Sequence, residues 1–289
     1  MAARELNKAV AMQDHERSLL ALAESSHARE QRRHLLRMLS LRGAVVATVI
    51  ALWWLASGRL IDRLFVSDPM SVVLAFLKIV EDGTLWWHIE LTLLEMTLGY
   101  IAGVAAGVGL AILVAPIPYG AQILRPLMLG IFAIPKVALA PLIIVWFGIY
   151  LLPKIILAAS LVFFIVYFST LAGFASVSQD LVAAVRVMGV SRASLFLKLI
   201  LPSATPYIMS AMRITLPGAL IGAIIGEFVS SNRGIGFLIA HASSRYDTAQ
   251  VFAAIASLVA FVLLLSALVS RVERFLLRWR QDPAKRNFA

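Results

Sequence analysis

Glu95, Lys136, Arg213 and Glu227 are charged residues at or inside long apolar stretches, where an ionisable side chain is expensive unless it is paired or faces water. Two chemistries suit them. Lys136 or Arg213 can attract an anionic solute as it crosses. Alternatively, both snorkel toward cytoplasmic headgroups while Glu95 and Glu227 satisfy neighbouring helices near the outer side. Pro141 and Pro217 interrupt the same stretches, as do Pro126 and Pro135. Each proline removes a backbone hydrogen bond and frees a carbonyl, which protein or a water-filled cavity must satisfy. Glu95, Lys136, Pro141, Arg213, Pro217 and Glu227 are therefore the candidate translocation path. Catalysis has no such footing. The chain has no cysteine, no Gly-Lys dipeptide for a phosphate-cradling loop, no Gly-x-Ser-x-Gly, and none of its five histidines stands in His-Glu-x-x-His. No enzymatic activity and no cofactor or metal of its own is expected.

A second group of residues points to coupling. Ser178 to Gly189 is too polar and short to span a membrane, yet Leu181, Ala184, Val185 and Met188 recur at helical spacing. Gly189 stops this helix, and Ser191 can cap a second one running through Leu199, which Pro202 ends. Two short helices about a glycine turn form a knob that a partner's groove can hold; an amphipathic helix lying unpartnered at the interface is the alternative.

The elements that position these residues follow from hydropathy. Of the 289 residues 61% are apolar and 15% charged, far from the balance of a soluble domain. A membrane-crossing helix needs roughly 20 mostly apolar residues. Six stretches qualify, near 43–58, 89–115, 120–151, 154–174, 204–229 and 249–270, the third broken by its prolines. The expected fold is all-α and polytopic. Residues 71–80, after Asp68-Pro69, are amphipathic and suit the membrane surface. With the N-terminus inside, 18 of the 26 lysines and arginines fall on the cytoplasmic side and 6 outside. That excess sets an N-in, C-in topology. Because the basic residues flank apolar runs, with no single patch interleaved with aromatics, the net charge of +10 does not point to nucleic acid.

Residues 1–42 are polar and charged, without the apolar core of a cleavable signal. Asp14 to Leu41, ending in Arg29, Arg32, Arg33, Arg37 and Arg42, reads as a cytoplasmic helix near anionic lipid headgroups or a solvated topology anchor. Residues 43–270 form the membrane domain, with the loop at 178–202, and 271–289 a basic cytoplasmic tail. Gly99-Gly103-Gly107 and Gly218-Gly222-Gly226 each line a helical face with a groove for another backbone.

Gly189, thirteen positions before Pro202 in Leu199-Ile-Leu201-Pro202, resembles the EAA loop of ABC importer permeases. Ala183 stands where that pattern has glutamate, followed by Ala184 and Val185, with Asp180 one turn earlier, and Leu199 replaces an isoleucine. Phe65-Val-Ser-Asp-Pro69, Ala133-Ile-Pro-Lys-Val-Ala-Leu-Ala-Pro141, Val145-Trp-Phe-Gly148, Gly226-Glu-Phe and Arg233-Gly-Ile-Gly-Phe237 occur in an order similar to the nitrate, sulfonate and taurine subgroup, over roughly residues 43–280. The resemblance implies a bacterial inner-membrane permease, dimerised with a second copy, bound to two ATPase subunits that carry ATP and magnesium. An extracytoplasmic binding protein would deliver a small anionic solute to the outer segments 59–88 and 230–248. It assigns Asp180, Leu181, Ala183, Ala184, Val185, Met188, Gly189, Leu201 and Pro202 to contact with the ATPase. A secondary transporter or channel working without an ATPase is the competing reading.

Overall fold

A computed structural model describes residue 33 and residues 36–276 of the chain. The expected features before residue 33 and after residue 276 lie outside the described residues. The chain divides into two units, residues 1–69 and 70–289.

In the first unit, α1 (Leu36–Ala56) is long and apolar enough to cross a membrane. It starts inside the stretch expected to be tail, because Leu36 to Leu41 extends the apolar face before Gly43. Val45, Val49, Leu52 and Trp54 are exposed, as lipid-facing residues of a span must be. After α1 the chain turns at Gly58, whose φ of +76° suits glycine. Ser57 Oγ then donates to the Val66 carbonyl at 2.9 Å and closes the turn.

The second unit is a helical bundle with α2 (Pro69–Glu81), α3 (Thr84–Val114), α4 (Gly120–Ala133), α5 (Lys136–Phe147) and α6 (Leu151–Ala175). It continues with α7 (Gln179–Val187), α8 (Arg192–Leu195), a π turn (Phe196–Ile200), α9 (Leu201–Ser230), α10 (Ile235–Ser244) and α11 (Thr248–Leu276). The expected amphipathic segment at 71–80 is α2. Helix α3 begins beyond Gly83, with Asp82 Oδ1 accepting from the Thr84 amide at 2.9 Å. Hydrogen bonds from Thr84 hold the Asp82 carboxyl below its ordinary range.

Helix α6 is the centre of the bundle, packed along α3 on one side and α9 on the other. Glycine sets both distances. A Cβ on Gly103 would lie 2.7 Å from the Ala159 carbonyl, and one on Gly222 2.5 Å from Ala158 Cα. Small residues thus let three backbones approach, the means by which helices associate where water cannot drive them together. Gly218 departs from the expected face, since a Cβ there would meet only Leu161 Cβ at 3.8 Å.

The described residues contain five helical runs long and apolar enough to span, and α4 with α5 makes a sixth candidate bent by 89°. Ile134 and Pro135 are extended at that bend, so the proline expected to interrupt the third span breaks it completely. One expectation is corrected. Pro202 does not end the second helix of the loop: residues Arg192 to Ser230 form one continuous run. The π turn explains this. The Leu201 amide reaches back five residues to the Phe196 carbonyl, and this wider turn accommodates a proline ring that would clash in a regular helix.

Candidate functional site

The candidate coupling segment is built from three local stops. Ser178 Oγ accepts from the Leu181 amide at 3.3 Å and starts α7, with Asp180 in its first turn where a negative charge suits the helix dipole. Gly189 takes φ +79° and turns the chain. Ser191 Oγ accepts from the Ser194 amide at 3.3 Å and starts α8. Gly189 and Ser191 thus act as their sequence context implies, and Ser178 adds a cap at the start of α7.

Three of the four residues of the expected α7 face are outside, and Val185 is the exception. Val182 is buried and Val185 half-buried, whereas Val187 and Met188 are 90% and 80% exposed, with Leu181, Ala183, Ala184 and Asp180 also exposed. Val182 and Val185 turn inward, and Val187 joins Leu181, Ala184 and Met188 outside. Two large apolar residues at the tip beside a glycine turn are a costly exposure for a free surface. Leu201 is half-buried and Pro202 exposed, at the start of α9.

The six candidate path residues do not converge on one site. Glu95 and Glu227 come together near the starts of α3 and α6 and the end of α9, 0% and 1% exposed. Lys154 joins them: its Nζ donates to Glu95 Oε1 and to Ser231 Oγ, both at 2.9 Å. Glu227 accepts from Thr92 Oγ1 at 2.6 Å and from the Gly236 amide at 2.5 Å. His88 Nδ1 accepts from the Gly234 amide at 3.1 Å, and Thr92 Oγ1 from the Ile235 amide at 2.8 Å. Three amides at the beginning of α10 are thereby capped by buried side chains, with a carboxylate at the positive end of the helix. The cluster joins α3, α6, α9 and α10 through one buried polar network. Beside it, Arg233 stacks 3.7 Å above the Trp87 ring and donates to the Trp87 carbonyl and Glu90, each at 2.7 Å.

Lys136 stands apart. Its Nζ donates to the carbonyls of Ile131 at 2.6 Å and Ile134 at 3.1 Å, and lies 4.9 Å from the Phe164 ring centre. An ammonium here neutralises the carbonyls exposed at the broken end of α4, so Lys136 is buried by the chain and does not snorkel. Arg213 is exposed and pairs with Glu273 of α11 at 3.7 Å. Pro141 and Pro217 are both exposed. Pro217 lines a cavity of about 450 Å³ between α9 and α11 whose lining residues are all apolar. No group of three or more potential metal ligands occurs among the described residues.

The sequence reading missed Lys154, Thr92 and His88. Lys154 follows Pro153 at the start of a span and reads as a loop charge, yet a glutamate inside a span calls for a partner of this kind.

Residues 99–281 match the family described as binding-protein-dependent transport system inner membrane component. The taurine transport system permease protein of Escherichia coli is 32% identical over 252 residues, covering 85% of this chain and 92% of that protein. A putative aliphatic sulfonates transport permease protein of Bacillus subtilis is 31% identical, over 82% of this chain and 86% of its own length. The riboflavin transport system permease protein of Chloroflexus aurantiacus is 32% identical, over 81% and 88%. Among solved structures, the MetNI methionine ABC transporter in an inward-facing conformation superposes with a TM-score of 0.57 at 20% identity. That likeness covers 65% of this chain and 94% of the other, and shows a shared fold. With helices suited to crossing a membrane many times and no catalytic constellation in the sequence, the chain belongs to the binding-protein-dependent transport system inner membrane component family and is the multi-pass permease subunit of a bacterial ABC-type importer.

Proposed function

We propose that the permease imports a small anionic solute carrying a sulfonate or similar group, driven by an ATPase that docks on residues 178–202. The exposed Val187–Met188 tip carries this reading, because it sits on an arm continuous with a spanning helix. Closure of two ATPase subunits, which hold ATP and magnesium, would push the tip. The run from Arg192 to Ser230 would then act as a lever, rocking the spans between outward and inward openings. Asp180, Leu181, Ala183, Ala184, Met188 and Gly189 form the contact, with Val187 added, while Val185, Leu201 and Pro202 support it from behind.

The topology is N-in and C-in, with residues 1–42 and 271–289 on the cytoplasmic side and 43–270 as the membrane domain. A second copy of the chain completes the path. A binding protein delivers solute to the segments 59–88 and 230–248, and the relatives named for taurine and aliphatic sulfonates support a solute of that class. Within the path, Glu95 and Glu227 brace the outer end, because protein donors already engage them. Arg213 is exposed, and an anion in transit would compete with Glu273 for it.

Co-purification tests the docking surface. Val187→Asp with Met188→Asp should abolish recovery of the ATPase while the permease stays folded, since both positions are exposed; undiminished recovery would overturn the assignment. Because the surface is apolar and Ala183 replaces an acidic residue, association should change little between low and moderate salt.

A further inference from the structure

Behind the coupling arm lies a cleft. It opens where the ends of α3 and α6 meet the start of α4 and the α7–α8 arm, with a volume of about 700 Å³. Ile112, Leu171, Phe174 and Phe196 line it, and Arg186 and Arg192 stand at its edge. Both arginines are exposed, and among the described residues neither makes an ion pair. A second cavity of about 310 Å³ shares Leu171 and Ala175 with the first and adds Arg125 and Gln122. Two exposed guanidinium groups thus stand at the edge of the larger, mainly apolar cleft, and a third at the neighbouring cavity.

We propose that this cleft binds an anionic phospholipid, its acyl chain between α3, α6 and the arm and its phosphodiester held by Arg186 and Arg192. The chemistry selects an amphiphile. A free soluble anion satisfies the guanidinium groups but leaves the apolar walls uncovered, whereas a zwitterionic lipid fills the walls but brings a headgroup cation that cancels its phosphodiester charge beside two arginines. Location agrees. The walls are ends of helices that cross the membrane, and basic pockets between such helices on the cytoplasmic side suit acidic headgroups. Placing the cleft on that side rests on the topology proposed above. The lipid would act as a wedge between the arm and the bundle, so anionic lipid would set how firmly α7 is held for the ATPase.

The test uses the full chain with its ATPase in phosphatidylcholine nanodiscs. These contain a minor fraction of phosphatidylglycerol with a photoreactive group in its acyl chain, and cross-linked peptides are mapped by mass spectrometry. Labelling should concentrate on residues 112–121 and 192–200. It should exceed labelling by an equally tagged phosphatidylcholine about thirtyfold, as two guanidinium contacts to an acidic headgroup imply. Arg186→Gln with Arg192→Gln should remove that excess, and Arg186→Lys with Arg192→Lys should keep most of it. Equal labelling by the two lipids overturns the site, and this comparison needs no variant. So does an excess that survives the glutamine pair, or one abolished by millimolar inorganic phosphate. ATPase recovery from the same sample keeps the readings apart: ATPase retained without lipid labelling sinks the lipid site alone, and labelling without ATPase sinks the docking surface alone.

Discussion

Lys154 is the cation that answers the buried Glu95 carboxylate and ties α6 to α3 and, through Ser231, to the end of α9. Removing one member of a buried pair leaves an uncompensated charge, at a cost of about 3–5 kcal/mol. Lys154→Met should therefore lower the thermal midpoint of the detergent-solubilised permease by many degrees, and Glu95→Gln placed on top should recover much of the loss. A double variant no more stable than Lys154→Met would contradict the pairing. Glycines give a second test, because two that look alike in sequence differ in space. A Cβ at residue 222 meets backbone of α6, which cannot move aside, while one at residue 218 meets nothing closer than 3.8 Å. Gly222→Ala should cost about 1–3 kcal/mol by forcing α9 from α6. Gly218→Ala should stay within about 0.5 kcal/mol. Parallel thermal melts of the two variants decide the matter.

At the scale of elements, the coupling arm works through its turns. Gly189 has φ +79° and open space where a Cβ would go, so a side chain there is penalised by the backbone alone, by about 1–2 kcal/mol. Gly189→Val should lower the melting midpoint by only a few degrees while weakening ATP-driven uptake, because it changes the angle between α7 and α8. Uptake equal to wild type would mean that the angle does not matter. The arm also separates what was legible in the sequence from what was not. Gly189 and Ser191 are local signals, and each acts within three residues of itself. The spans were legible because crossing a membrane depends on length and apolarity. Pro202 misled, since whether a proline ends a helix depends on whether the preceding turn can widen, and the widening at Phe196–Ile200 carries no composition signal. On α7 the expected residues Leu181, Ala184 and Met188 are outside, and Val185 alone turns partly inward. An amphipathic stripe that must serve both its own bundle and a partner does not state which valine turns which way, and burial chose Val182 over Val187. Lys154 was hidden because its partner lies 59 positions away on another helix.

For the whole molecule, the separation of the braced end from the arm determines what can move. The network of Glu95, Lys154, Glu227 and the α10 amides joins four helices at one end of the bundle, while the coupling arm sits at the opposite ends of α6 and α9. Under the proposed docking of an ATPase on the arm, a rocking motion driven there pivots near the braced end. This yields the decisive functional expectation. Proteoliposomes holding the permease, its ATPase and its binding protein should accumulate labelled taurine or an alkanesulfonate only with hydrolysable ATP inside the cytoplasmic-facing compartment. Dissipating ion gradients with ionophores should leave the rate unchanged. Arg213→Ala should reduce uptake without loss of the assembled complex, through its contact with the passing anion. Uptake by the permease alone down an ion gradient would replace the importer reading with a secondary transporter. Full uptake in the Arg213 variant would remove that residue from the path and leave the coupling arm untouched.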